Sequence, residues 1–232
     1  MSLQDAHEYL SRPSRRRFLQ GTAAAAGLAV AAPSVFIKSA RAAGAAPAGG
    51  HLAFGADPRR EMSVVWSTPG PVDRPRVTFG PGDADGTTVA AETRVVPTNL
   101  VDPLRPAERH YHQVRLTGLD PDTVYAYRIQ HDGAETAPRP FATAPDGAGA
   151  FSFTAFGDQG VSGAARSVVA QLASIRPAFN LVAGDLCYAN SRGFTIPTDI
   201  VEFDPAEWDG WFAQANPSAA STPWMPAMGN HD

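Results

Sequence analysis

Apolar spacing changes period once along this chain, near residue 150, and that change restricts the fold to two dissimilar parts. From His51 to about Pro145, apolar residues recur at every second position. Met62, Val64 and Trp66 interleave with Ser63, Val65 and Ser67, and Val124–Ile129 follows a Pro-Asp turn. Side chains on a strand alternate between faces, so this spacing predicts short antiparallel strands with one face buried, an all-β sandwich. After Phe151 the pattern differs. A short apolar strand (Phe151–Phe156) precedes Ala165, Val168, Val169, Leu172 and Ile175, which share one helical stripe ending before Pro177. A second apolar strand, Phe179–Ala183, follows. Strand, helix and strand with short connections predict a parallel βαβ unit. A later helix is expected with Asp204 as N-cap, Pro205 first in the helix and Glu207 as the capping partner. It would bury Trp208, Trp211, Phe212 and Ala215.

The chemistry gathers at the strand ends. Asp158 and Asp185 each follow an apolar strand and a glycine. If those strands are parallel neighbours, both carboxylates stand at the C-terminal edge, where open α/β sheets bind ligands. Tyr188 lies three residues past Asp185, and Asn230 and His231 arrive on a third loop. Carboxylate, phenolate and amide oxygens on separate loops suit hard cations. Cys187, the lone cysteine, forms no intrachain disulfide and reads as a packed small side chain. His110 and His112 would share one strand face. They read as a solvated or partly packed face rather than a metal pair. Asp120 and Asp122 read as turn residues.

Residues 1–42 carry a formal charge of +4 and the remainder −8. An acidic body argues against nucleic-acid binding, which needs a basic face. Ser14-Arg15-Arg16-Arg17-Phe18-Leu19 resembles the twin-arginine export signal at every position. Gly21–Ile37 is short and only mildly apolar for a membrane span, and Ala40-Arg41-Ala42 fits a cleavage pattern. The resemblance implies export of a folded protein by the twin-arginine translocase to the periplasm, cell wall or medium, with no permanent membrane span. Residues 43–50 read as a linker, 51–145 as the β-domain and 146–232 as the start of a second domain. Leu119–Tyr127 resembles the corner of fibronectin type III domains.

Gly157-Asp158-Gln159-Gly160, Gly184-Asp185-Leu186-Cys187-Tyr188 and Gly229-Asn230-His231-Asp232, in this order, resemble the motifs of purple acid phosphatases, within the calcineurin-like metallophosphoesterases. The tyrosine of the second motif separates that family from most relatives. The resemblance implies a fibronectin-like domain followed by an α/β metallophosphoesterase domain. It also implies hydrolysis of small phosphomonoesters by a water or hydroxide activated at a binuclear centre, Fe(III) plus divalent Fe, Zn or Mn. Asp158 and Tyr188 would bind the ferric ion, Asp185 would bridge, Asn230 would bind the divalent ion, and His231 would contact phosphate or protonate the leaving group. The family's further histidine ligands lie after the third motif and have no counterpart here. The chain is therefore expected to be the N-terminal part of a longer protein and inactive alone. Rival readings are a phosphodiesterase or nucleotidase of the same superfamily, and a non-catalytic secreted binding module.

Overall fold

The computed structural model of the protein describes residues 46–97, 108–189 and 206–232. The export segment, the beginning of the 43–50 linker, and Asp204 and Pro205 lie outside the described residues. Among the described residues no helix is long and apolar enough to cross a membrane.

The first part is a sandwich of two antiparallel sheets. One runs in the order β1 (Ala48–Phe54), β2 (Met62–Thr68), β6 (Glu108–Leu116), β5 (Glu92–Pro97). The other runs β4 (Thr87–Ala90), β3 (Arg76–Pro81), β7 (Val124–His131), β8 (Ala134–Glu135), with β9 (Arg139–Ala142) also paired to β7. Leu52, Met62, Val64, Trp66, Val114 and Leu116 from the first sheet form one buried cluster with Val77, Tyr127, Ile129 and Phe141 from the second. Each side chain of that size contributes about 1.5–3 kcal/mol by leaving water. At the expected corner, the Asp120 N–H donates to the Tyr125 hydroxyl at 2.9 Å.

The second part holds three parallel strands in the order β10 (Thr154–Phe156), β11 (Asn180–Ala183), β12 (Trp224–Ala227). Helix α1 (Gly163–Ile175) joins β10 to β11, and α2 (Ala206–Ala219) precedes β12. Ser162 caps α1 by accepting the Ala165 N–H, and Arg176 ends it in a left-handed conformation ahead of Pro177. Val169, Leu172, Val182, Leu186, Trp211, Ala215 and Trp224 build a second core.

The structure corrects four expectations. First, the 43–50 linker gives way to strand at Ala48. A register shift between Ala48 and His51 lets Gly49, at φ 62°, sit against the Phe212 side chain. Second, the sheet containing β2 is not buried on one face alone. Ser63 and Ser67 are buried like Val64 and Trp66, and α2 packs along the neighbouring strand β1. His51 and Tyr111 meet the Phe212 ring there, the former stacked at 5.1 Å. Asn216 Nδ2 donates to Gly50 O at 2.6 Å, and Tyr127 Oη to Ala220 O at 2.8 Å. Third, the first parallel strand spans only Thr154–Phe156, leaving Phe151 and Phe153 exposed. The α1 stripe buries Ala165, Val169 and Leu172 but leaves Val168 and Ile175 in solvent.

The fourth concerns His110 and His112, which are fully packed in the sandwich rather than on a solvated or partly packed strand face. The Thr68 hydroxyl donates to Gly70 O, so it accepts from His112 Nε2 at 2.9 Å, and Thr93 Oγ1 meets Nδ1 at 2.8 Å. His110 Nε2 pairs with Glu108 Oε1 at 2.8 Å.

Candidate metal centre at the strand ends

Parallel pairing of β10, β11 and β12 places the loops that follow them along one sheet edge. The first loop carries Asp158, the second Asp185 and Tyr188, the third Asn230, His231 and Asp232. Close approach of these loops depends on glycine. Gly184 has φ +86°, and a Cβ there would come within 2.9 Å of Gly229 Cα. A Cβ on Gly229 would fall on the Asp185 backbone nitrogen and carboxylate. Side chains at either position would push the second and third loops apart.

Backbone bonds stitch the loops in sequence. Asp158 N and Gln159 N donate to Gly184 O and Asp185 O at 3.1 and 3.0 Å. The His231 N–H donates to Asp185 Oδ1 at 3.1 Å. In return, Leu186 N and Cys187 N donate to Asp232 Oδ1 at 2.6 and 3.1 Å.

Asp158, Asp185 and Tyr188 all adopt left-handed backbone, with φ of 52°, 51° and 57°. Each such residue costs about 1–2 kcal/mol relative to ordinary backbone. Strain of this kind persists where surrounding structure enforces it, and it clusters at functional sites. Its effect here is to aim oxygens: the Tyr188 hydroxyl donates to Asp158 Oδ1 at 3.0 Å. That bond, followed by burial and the charges of Asp158, Asp185 and Asp232, raises the Tyr188 pKa. The His231 ring stacks on Tyr188 at 5.1 Å with planes 22° apart. Asn230 is exposed on the same edge. Cys187 is buried, and burial before all else pushes its thiol up to about 12, so it is an inert packing group.

Among the described residues no three His, Cys, Asp or Glu side chains converge on one point. The oxygens that do converge are those of Asp158 and Tyr188, with Asp185 tied to the same edge. Oxygen donors of this type, surrounded by negative charge, fit a hard cation.

Three contributors were missed in the sequence reading. Trp211 Nε1 donates to Gln159 Oε1 at 2.8 Å, and Gln214 Nε2 to Gly160 O at 2.9 Å. Helix α2 thus supports the first loop as well as the sandwich. The spacing of Trp211 and Gln214, three apart on one helix face, was the available signal. The third contributor, Asp232, looked like the end of a motif and is a hub between loops.

A β-sandwich followed by parallel strands with three glycine-led loops defines the class: an all-β domain ahead of an α/β domain whose loops gather at one sheet edge. Residues 47–143 match the family described as "Purple acid Phosphatase, N-terminal domain". The "Uncharacterized protein MT2654" of Mycobacterium tuberculosis is 36% identical over 99% of this chain and 47% of its own length. Purple acid phosphatase 18 of Arabidopsis thaliana is 29% identical over 52% of this chain and 24% of its own. Purple acid phosphatase PPD1 from yellow lupin superposes with a TM-score of 0.61 at 24% identity, over 80% of this chain and 35% of that one, which establishes the shared fold. Residues 47–143 are thus similar to the N-terminal domain of purple acid phosphatases, and the chain shares the fold of the lupin enzyme. It spans about half the length of the Mycobacterium tuberculosis relative.

Proposed function

We propose that the full-length gene product is an exported phosphatase that hydrolyses small phosphomonoesters at a binuclear metal centre. The observation that carries this reading is that Asp158, Asp185 and Tyr188, each in left-handed backbone, stand on loops at the C-terminal edge of three parallel strands, with the Tyr188 and Asp158 oxygens in contact. Asp158 and Tyr188 would hold a ferric ion, Asp185 would offer one carboxylate oxygen to each ion, and Asn230 would hold the divalent one. When bound, such a pair supplies Lewis acidity that activates water and offsets phosphate charge.

The chain's own residues do the remaining work. The glycine contact between the second and third loops fixes the spacing of Asp185 and Asn230. The ring stack on Tyr188 holds His231 at the edge, where its imidazole would donate to a phosphate oxygen or to the departing alkoxide. The Tyr188 hydroxyl donates to Asp158 Oδ1, so the two proposed ferric ligands already lie within hydrogen-bond reach of each other, and a bound cation would take the place of that proton. Residues 14–19 motivate export by the twin-arginine route.

Iron-loaded full-length protein should turn over a phosphomonoester and show a visible tyrosinate-to-iron band. Tyr188→Phe should bleach that band in the ferric form. An active, iron-loaded protein whose spectrum ignores the substitution refutes the role of Tyr188. Replacing Arg15 and Arg16 by Lys should abolish export on cell fractionation, and unchanged export refutes the route.

A further inference from the structure

We infer that Asp232 is the positioning residue of this site. Its carboxylate holds the Asp185–Tyr188 turn in the backbone that presents both side chains, and it does so from a different loop. The inference rests on the proposed reading of Asp185 and Tyr188 as ligands.

Asp232 Oδ1 accepts the N–H groups of Leu186 and Cys187, the two residues between the left-handed Asp185 and Tyr188. Its Oδ2 accepts the Gly229 N–H at 2.9 Å. A carboxylate that only closed its own turn would need the Gly229 bond alone. The other two bonds reach 46 and 45 residues back along the chain. Two successive N–H groups pointing at one oxygen fix the peptide planes of Leu186 and Cys187. Those planes set the backbone direction on entering Tyr188. The reciprocal bond, His231 N to Asp185 Oδ1, comes from the residue beside Asp232. The second and third loops are therefore clasped twice, once by each loop's aspartate. Asp185 cannot serve as the clasp alone if its oxygens also face ions, so the backbone is left to Asp232.

The chemistry of the clasp selects the variants. An asparagine keeps the size of Asp232 but offers one acceptor oxygen and turns an NH2 toward an N–H donor. A glutamate keeps both acceptor oxygens on a longer stem. The test uses the full-length gene product, first without metal, and follows amide hydrogen exchange by mass spectrometry in peptides covering Leu186–Tyr188 and, as an internal control, β2 and β6. Asp232→Asn should speed exchange at Leu186 and Cys187 and leave the control peptides unchanged, while Asp232→Glu should restore much of the protection. After loading with ferric iron, Asp232→Asn should hold the ion about 10–100-fold more weakly, the usual effect of removing a group that orients a ligand. Wild-type exchange at Leu186 and Cys187 in Asp232→Ala, which removes both acceptor oxygens, would overturn the inference. So would accelerated exchange with undiminished iron affinity, because the clasp would then orient nothing. Failure of the wild-type protein to take up iron would condemn the metal reading, and the exchange result would still judge the clasp.

Discussion

The sandwich and the three-loop edge treat polar groups in opposite ways. Within the sandwich, buried polar side chains are paired to nearby groups: His112 lies between two threonine hydroxyls, and Tyr125 receives a backbone N–H. His131, the Trp66 indole N–H and Arg128 Nε are exceptions, buried without a hydrogen-bond partner among the described residues. Left-handed non-glycine backbone occurs there at Arg74 and Asp122, both outside strands. At the loop edge, three left-handed residues stand in two short loops, the Tyr188 hydroxyl meets Asp158 Oδ1, and the charges bearing on Tyr188 are all carboxylates. A region built for stability neutralises its polar groups internally. One built for ligand chemistry leaves like charges together and lets backbone strain hold them.

The sharpest way to break this contrast is at Asp185. In the full-length protein, Asp185→Ala should lower phosphomonoester turnover on the order of 10³-fold or more, since several kcal/mol of charge stabilisation disappear. Elemental analysis should find both ions lost, whereas Asn230→Ala should lose mainly the divalent ion. Equal losses from both variants contradict a bridging role, and a drop in sandwich stability contradicts the separation of the two regions.

The next effect is on acid stability. Burial, followed by the neighbouring His110 and His131, lowers His112 from 6.5 to about 4. The unfolded chain takes up that proton first as pH falls. Stability from the neutral ring is therefore complete above pH 6.5 and is lost progressively between pH 6.5 and about 4, roughly 3 kcal/mol in all. His112→Gln should flatten that part of the denaturation profile. An unchanged slope would show that the ring is not held neutral.

Tyr127→Phe examines the link between the regions. It removes the hydroxyl that donates to Ala220 O and leaves that carbonyl buried, for a cost of about 1–3 kcal/mol in thermal or urea unfolding. A loss confined to peptides of α2 would show that the two regions unfold separately. Least of all, Val168→Ala should change stability by less than about 0.5 kcal/mol, because Val168 is exposed despite its place in the apolar stripe.

Much of this was legible from spacing. Period-2 alternation in Met62–Ser67 and the helical recurrence through Leu172 identify strand and helix, because each side chain's face follows from backbone geometry. Gly-Asp at the ends of two apolar runs placed both carboxylates on one edge, since parallel strands share a C-terminal side. Less legible was anything decided by a distant partner. The outer face of β2 reads as half-polar, with Ser63 and Ser67, yet both are buried, and α2 returns to pack on the neighbouring strand β1 more than 150 residues later in the chain. His110 and His112 look solvated by composition alone, and only Thr68, Thr93 and Glu108 make their burial tolerable. Asp232 reads as part of a motif, since nothing local in the chain reveals that its Oδ1 faces the N–H groups of Leu186 and Cys187.

Placing α2 across the sandwich has a consequence for synthesis. Chains emerge from the ribosome N-terminus first, and the last sandwich strand ends at Ala142 while the cover ends at Ala219. At about 5–20 residues per second, the sandwich waits roughly 4–15 s with His51 and Tyr111 without their Phe212 cover. During that interval the nascent domain presents a sheet face suited to chaperones or to another nascent copy. Slowing translation between Ala142 and Ala219 should therefore lower the soluble yield, and supplying α2 sooner should raise it.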